Sequence, residues 1–142
     1  MNHGRCNLVN RTFKIEYHGT TYDGVPAVIQ ETFLGLNDHG IFDAWLHLAG
    51  QGWGQGFGGY ALDQWDAGLN RRIGTGFGLD WVGEILRTLG VESWEKVKGQ
   101  EVIALYSEGD SWGGQIKGFA HTLEDRAMIV REFIDFWKER KA

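Results

Sequence analysis

The stretch Gly50-Gln51-Gly52-Trp53-Gly54-Gln55-Gly56-Phe57-Gly58-Gly59-Tyr60 places glycine at every even position from 50 to 58 and amide or aromatic side chains at the odd ones. In an extended strand successive side chains point to opposite faces, so this pattern predicts one face of bare backbone and one of amides and aromatics. Glycine in a strand interior costs about 0.5–1 kcal/mol relative to alanine. We therefore expect something flat to lie close against the bare face: first one of the protein's own helices or a neighbouring chain, and after these a ligand.

Runs of alternating apolar and polar residues precede this stretch and predict further strands. Turn residues separate the runs, which favours an antiparallel meander over parallel units. In the run before the glycines, alternate residues form one apolar face that we expect to meet the core: Phe42, Ala44, Leu46 and Leu48. The predicted strands are Arg11–Tyr17, Val25–Leu34, Ile41–Leu48 and Gly54–Asp63, with turns at His18–Gly24 and Asn37–Gly40.

The C-terminal half combines helices with a hairpin. Apolar residues at helical spacing from Trp81 to Leu89 predict a helix that ends at Gly90. A second helix is expected from Leu123 to Lys141, with Thr122 as its N-cap. A hairpin of Glu101–Ser107 and Gln115–His121 lies between them. The sequence thus predicts an α+β fold, one domain over residues 1–142 with a loose tail at 1–10, an antiparallel sheet of about five to seven strands and two main helices.

Composition narrows the classes of function. The formal net charge of −5 argues against a protein that binds the phosphate backbone of a nucleic acid polymer, because such proteins need a basic face. Cys6 is the single cysteine, which excludes an intrachain disulfide. No apolar run approaches the roughly 18 residues of a membrane span and no signal peptide is recognised, so we expect a cytoplasmic protein that does not interact with membranes.

A second glycine cluster, Arg71-Arg72-Ile73-Gly74-Thr75-Gly76-Phe77-Gly78, precedes the first predicted helix. Free N–H groups at a helix N-terminus bind anions, and guanidinium groups bind phosphate through two parallel hydrogen bonds. We therefore predict that Arg71 and Arg72 contact phosphates, with Thr75 and Gly76 beside them. The spacing fits neither the Walker loop nor the dinucleotide fingerprint, and a flexible loop with two solvated arginines is the alternative reading.

Aromatic residues accompany both glycine clusters. Aromatic side chains near arginine commonly hold a nucleobase by stacking, which contributes about 1–3 kcal/mol per base. The alternative is that these rings fill the core or an oligomer interface. The aromatic residues predicted to bind the ligand are Phe57, Tyr60, Phe77 and Trp112.

Acidic and histidine residues on the third predicted strand offer a weaker possibility. Asp43 and His47 share a strand face, and Asp38 and His39 precede them. Such residues could form a metal site or an acid–base pair, as in a small hydrolase. Their spacing matches no characteristic ligand pattern, so a solvated strand face is favoured, and we expect no metal, no cofactor and no catalytic residue.

Three runs of the sequence resemble a family of small phage-encoded proteins: residues 33–41, residues 54–63 with the signature GQGFGGYALD, and residues 91–99. The length of the chain and its order of strands and helices are also similar to those of the first type of Thoeris anti-defence protein. That resemblance implies an oligomeric sponge that sequesters a cyclic ADP-ribose immune signal without cleaving it. It assigns no ligand residue to a position of this chain.

These observations together predict a non-enzymatic phage anti-defence protein of the host cytoplasm. We expect it to be a homo-oligomer that binds a small cyclic nucleotide-type ligand through Arg71 and Arg72, with Phe57 or Phe77 stacked on a base. A protein–protein inhibitor of a host defence complex, similar in role to anti-CRISPR proteins, is the alternative. Its acidic surface would mimic nucleic acid and its exposed tryptophans would anchor the partner.

Overall fold

The computed structural model describes residues 12–111 and 113–141 of the chain. They form an α+β fold, as predicted, whereas the expected tail at 1–10 and Trp112 lie outside the described residues. Neither of the two α-helices in this part of the chain has the length and apolarity to cross a membrane. The strands are β1 Phe13–Tyr17, β2 Thr20–Leu36, β3 Phe42–Gly50, β4 Trp53–Ala61, β5 Asp63–Asp66, β6 Arg71–Gly74, β7 Glu101–Ser107, β8 Gly118–His121 and β9 Ala127–Ile129; the helices are α1 Gly76–Leu89, a 3₁₀ turn Trp94–Lys96 and α2 Val130–Lys141.

Seven strands form one antiparallel sheet in the order β4-β3-β2-β7-β8-β9, with β1 also paired to β2. Strand β2 has 17 residues and pairs with three strands: its first part with β1, its middle with β7 and its last part with β3. A bulge between Ile29 and Glu31 interrupts its pairing with β3. Bulges bend a strand and increase its twist, so the long strand can serve both halves of the sheet. Strands β5 and β6 form a separate hairpin.

The turn between β1 and β2 is shorter than predicted. His18 and Gly19 both have positive φ, 52° and 84°. Two such residues form the tight turn whose twist matches a hairpin. The rest of the predicted turn, Thr20–Gly24, is strand and pairs with β1.

The strand predicted from Gly54 to Asp63 is present as β4, Trp53–Ala61, and the first residues of the glycine stretch form the turn that precedes it. Gly50 ends β3, Gln51 and Gly52 form the turn, and β4 begins at Trp53. Phe57 is buried and stacks on Trp81 of α1, so the helix packs against the aromatic side of β4. The expectation that a helix covers the glycine side is therefore wrong. A Cβ added at Gly56, on that side, would meet no atom within 4 Å.

Helix α1 follows the predicted pattern at its C-terminal end. Gly90 has φ 75° and its N–H donates to the carbonyl of Leu86, as expected of a C-terminal glycine. At the other end the helix extends to Gly76, five residues before Trp81, because Thr75 caps it: its Oγ1 accepts the N–H of Gly78 at 2.9 Å.

Helix α2 begins at Val130 rather than at Leu123, and Thr122 is not its N-cap. His121 Nδ1 accepts hydrogen bonds from the amides of Leu123 and Glu124, at 3.0 and 2.9 Å, and turns the chain there. Residues Ala127–Ile129 then pair with β8 as strand β9. The apolar side chains that suggested an earlier helix are buried as strand residues instead.

The core has one cluster on each face of the sheet. The larger one lies under the helices and the smaller one contains Tyr17, Tyr22 and Leu105. The prediction for β3 is confirmed at Ala44, Leu46 and Leu48, all 0% exposed. Phe42 is 39% exposed and so is not core, because this end of the β2–β3 pair is uncovered: Leu36, opposite it, is 66% exposed.

Candidate functional site

The predicted phosphate site around Arg71–Gly78 is largely occupied by the protein's own contacts. The Arg72 Nη2 lies 2.9 Å from Asp63 Oδ1, and it donates to the Asp63 carbonyl at 3.0 Å. The Arg72 guanidinium beside it holds the pKa of the Asp63 carboxyl below its ordinary value. Arg71 is exposed and donates to the carbonyl of Arg72 at 3.1 Å. A phosphate would have to compete with Asp63 for Arg72, whereas Arg71 makes no ion pair with a described residue.

The residues at the start of α1 also make contacts that stabilise the fold. The Thr75 hydroxyl accepts from the Gly78 amide and donates to the Leu62 carbonyl at 3.1 Å. A Cβ added at Gly76 would lie 3.0 Å from the Trp137 ring, so glycine allows α2 to pack over this helix end. A shallow pocket of about 430 Å³ remains beside Thr75, Gly76 and Trp137.

Most of the predicted stacking residues are packed against other rings. Phe57 is 3% exposed between Trp81 and Phe119, so no base can reach its faces without displacing them. Phe77 contacts the rings of Trp81, Phe133 and Trp137. Tyr60 is 39% exposed, with its ring centroid 4.9 Å from that of Trp81. The structure does not gather these rings around the two arginines. Trp112 was also predicted to bind the ligand and lies outside the described residues.

A second pocket, of about 520 Å³, opens between the β3–β4 turn and the loop that joins β7 to β8. Its volume is in the range of small-molecule sites. Two aromatic side chains, two glutamines and several glycines form most of its wall. Its lining residues are Thr12, Val25, Gln51, Gly52, Trp53, Gly54, Gln55, Tyr106, Ser111, Gly113 and Gly114.

The side chain of Gln55 is fixed by hydrogen bonds at both ends of its amide. Its Oε1 accepts from the Tyr106 hydroxyl at 2.9 Å, and its Nε2 donates to the Gly114 carbonyl at 3.1 Å. An amide has two N–H donors and can accept two hydrogen bonds. Among the described residues, these contacts leave one donor and one acceptor position of Gln55 without a partner. Burial raises the pKa of the Tyr106 phenol, so the hydroxyl keeps the proton that it donates to Gln55.

Trp53 and Tyr106 form an aromatic corner of this pocket. Their ring centroids are 6.4 Å apart at an angle of 68°, an edge-to-face arrangement. The Trp53 indole lies against Gly50, in the space that a Cβ at that position would need. Glycine at position 50 is thus required for this indole position, which gives one glycine of the stretch a specific role.

A buried carboxylate binds the loop between β7 and β8, which lines the pocket, to the sheet. Asp23, 3% exposed, accepts the Gly109 amide at 2.9 Å and the Lys14 ammonium at 2.6 Å. The hydrogen bond from Lys14, followed by that from Gly109, lowers the pKa of the Asp23 carboxyl. Asp23 therefore stays ionised at neutral pH and fixes the start of the loop that carries Gly114.

Among the residues that the structure describes, neither metal ligands nor charged groups converge at the pocket. None of its described lining residues is a carboxylate, a histidine, a lysine or an arginine. Elsewhere, Asp43 accepts from Asn37 Nδ2 at 3.0 Å and His47 lies close to Gly54. Within residues 12–111 and 113–141, no three His, Cys, Asp or Glu side chains are grouped so that they could hold a metal ion.

No protein-family model, curated protein or solved structure matches this chain. The site therefore rests on its own geometry. Sequence reasoning noted Trp53 but assigned the ligand to other aromatics, and it overlooked Gln55 and Tyr106. An amide and an indole beside a glycine-rich turn could have indicated this site. Nothing in the local sequence indicated that Gln55 would contact a residue of β7.

Proposed function

We propose that the protein binds a small nucleotide-type ligand in the pocket of Trp53, Gln55 and Tyr106 and sequesters it without cleaving it. The similarity of the chain's length and order of strands and helices to those of the first type of Thoeris anti-defence protein favours a biological role in opposing host defence. The observation that carries the proposal is the Gln55 amide, which is held at both ends while one donor and one acceptor position have no partner among the described residues.

A nucleobase has the chemistry that this amide recognises. Glutamine pairs with an adenine edge through one donated and one accepted hydrogen bond. Because Gln55 is already fixed, little side-chain entropy is lost when it binds. The indole of Trp53 supplies a face for stacking, worth about 1–3 kcal/mol per base. Both features select a planar ring with polar edges.

The lining also supports binding without chemistry. General acid–base catalysis requires a titratable group within hydrogen-bond reach of the reacting atoms. The titratable side chain on the described lining is Tyr106, whose raised pKa keeps it protonated. The neutral lining suits the base rather than the phosphates, so a ligand's phosphates are expected at the solvent-exposed mouth.

Equilibrium dialysis of the full chain against a mixture of nucleosides, nucleotides and cyclic ADP-ribose tests the proposal. Heating releases the retained compound for mass spectrometry, and we expect one adenine-containing compound, recovered intact. No retained compound, or a chemically altered one, contradicts sequestration.

Two pairs of variants locate the site. Gln55→Glu removes the amide donor at nearly constant shape, and Gln64→Glu makes the same charge change at an exposed position of β5. Trp53→Leu removes the stacking face, and Trp65→Leu removes a tryptophan that is 56% exposed outside the pocket. We expect the first member of each pair to lower affinity about tenfold or more and the second to leave it unchanged.

A protein–protein inhibitor is the second candidate, because one end of the sheet is apolar and uncovered. Leu34, Leu36 and Phe42 are 36%, 66% and 39% exposed on one face of β2 and β3. Exposed apolar clusters of this kind mark interaction sites. A stoichiometric host partner that is retained by the wild type, lost in Leu36→Asp and still bound by Gln55→Glu would favour this function over ligand binding.

A further inference from the structure

The Gly114 carbonyl determines the orientation of the Gln55 amide in the pocket. A main-chain carbonyl oxygen only accepts hydrogen bonds, so the atom that faces it must carry a proton. Gln55 Nε2 meets this condition and donates to the Gly114 oxygen at 3.1 Å. If the amide were turned over, Oε1 would face the Gly114 oxygen and two acceptors would be opposed. The Tyr106 hydroxyl does not distinguish the two orientations, because a hydroxyl group can both donate and accept.

Hydrogen bonds within the loop that joins β7 to β8 hold this carbonyl in place. The N–H of Gly114 donates to the carbonyl of Asp110 at 3.1 Å, and the N–H of Asp110 donates to the carbonyl of Ser107 at 2.9 Å. The Asp23 carboxylate accepts the amide of Gly109, which lies between these two turns. A Cβ added at Gly114 would overlap the Asp110 carbonyl oxygen, so the loop needs glycine at this position. The carbonyl at the end of the loop is therefore itself fixed.

The orientation of a glutamine amide decides which purines it can pair with. On the edge that carries N1, a 6-aminopurine offers a donor at N6 and an acceptor at N1, whereas a 6-oxopurine offers an acceptor at O6 and a donor at N1. An amide that turns over can bind either class in the same position, but an amide that is held can bind only one. On the edge that carries N7, the 6-amino class alone offers a donor and an acceptor, because O6 and N7 both accept.

We propose that the Gly114 carbonyl, by preventing the Gln55 amide from turning over, makes the pocket select 6-aminopurine nucleotides and reject 6-oxopurine nucleotides. This selectivity rests on the proposed function, since it concerns a base held at the same site. Stacking on Trp53 adds affinity without selecting, because every base has a π-face. The choice between the two classes therefore falls to the hydrogen bonds of the half-buried Gln55, where a mismatched pair leaves polar groups without partners.

Calorimetric titration of the full chain with adenosine and inosine monophosphates tests the selectivity, because the two compounds differ only in the 6-substituent and the proton on N1. We expect the adenosine compound to bind about tenfold or more tightly than the inosine compound. Equal affinities, or a preference for the inosine compound, overturn the selectivity and leave the proposed function standing. If neither compound binds, both proposals are contradicted.

Gly114→Ala tests the role of the carbonyl directly. The added methyl group would overlap the Asp110 carbonyl oxygen, so the loop has to shift and the carbonyl loses its position against Gln55. We expect the ratio of the two affinities to fall towards one. A change that only loosened the pocket would weaken both compounds equally and leave the ratio unchanged, which would contradict this role. Gly56→Ala, whose methyl group meets no atom within 4 Å, is the control and should keep the wild-type ratio.

Substitutions outside the loop make the test independent of its folding. Gln55→Glu offers acceptors and no donor, so it matches one atom of either class and should bring the ratio close to one, while Gln64→Glu on β5 should keep it. Tyr106→Phe removes a contact that fits both amide orientations, so the ratio should stay within about twofold of the wild type. A wild-type ratio in Gln55→Glu, or a ratio lost in Tyr106→Phe, would assign the selectivity elsewhere and overturn the proposal.

Discussion

The Tyr106 hydroxyl donates a hydrogen bond of 2.9 Å to Gln55 Oε1, across 51 residues of sequence. Strands β3 and β2 lie between the strands of these residues. In a flat sheet the two strands would be about 14 Å apart, at roughly 4.8 Å per neighbour. The sheet must therefore curl at this end, and the bulge between Ile29 and Glu31 is placed to help it do so. This curl creates the aromatic pocket.

The hydrogen bond between Tyr106 and Gln55 should contribute to stability as well as to the site. Tyr106→Phe leaves Gln55 Oε1 without this donor, and we expect the free energy of unfolding to fall by about 1 kcal/mol. Gln55→Leu should destabilise by a similar amount. In a double-mutant cycle measured by urea unfolding, a coupling energy of about 0.5–1.5 kcal/mol is expected. If the two losses of unfolding free energy simply add in the double variant, the hydrogen bond contributes nothing to stability.

Two glycine-to-alanine changes in the glycine stretch should have opposite effects on stability. Gly50→Ala puts a methyl group where the Trp53 indole lies, so we expect lower stability and altered tryptophan fluorescence. Gly56→Ala adds a methyl group in open space and reduces the freedom of the unfolded chain. It should raise the free energy of unfolding by about 0.5–1 kcal/mol. Equal effects at the two positions would contradict the close contact at Gly50.

Acid should release the loop that carries Gly114, through Asp23. The folded-state pKa of this carboxyl is lowered by Lys14 and Gly109, so its contribution to stability is present above the unfolded value of about 3.9. That contribution is lost as the pH falls through the folded pKa. Asp23→Asn should be less stable than the wild type at neutral pH, and the two urea midpoints should converge below about pH 4. A difference that is constant with pH would exclude this role for Asp23.

Thr75 should behave as a helix cap rather than as a ligand residue. Thr75→Ala removes the acceptor for the Gly78 amide and should cost about 1 kcal/mol of stability, whereas Thr75→Ser should retain most of it. Dialysis should show unchanged ligand affinity in Thr75→Ser. A large loss of affinity in the serine variant, with normal stability, would indicate that the ligand binds at Arg71–Gly78 instead.

Local patterns in the sequence predicted most of the strands and α1, because alternation, helical spacing and Gly90 are signals that lie within a single element. They failed at α2, where pairing of Met128 and Ile129 with β8 outweighed their helical spacing. The site was harder to predict. Arg72 looked available for phosphate because its partner Asp63 lies nine residues earlier on the neighbouring strand of a hairpin.

Gln55 is a site residue that the local sequence could not identify. Its position in the glycine stretch was evident, but its role depends on Tyr106 and Gly114, which only the curled sheet brings to it. For Phe57 the sequence suggested a ligand contact that the structure does not support. An aromatic residue between glycines suggested a stacking surface, but the Phe57 side of β4 faces Trp81 in the core.

The most direct test of the account is calorimetric titration with the compound recovered by dialysis, on the wild type, Gln55→Glu and Gln64→Glu in parallel. We predict saturable binding by the wild type and Gln64→Glu, affinity at least about tenfold weaker in Gln55→Glu, and intact compound on recovery. Equal affinity in all three proteins would contradict the claim that Gln55 and its pocket hold the ligand.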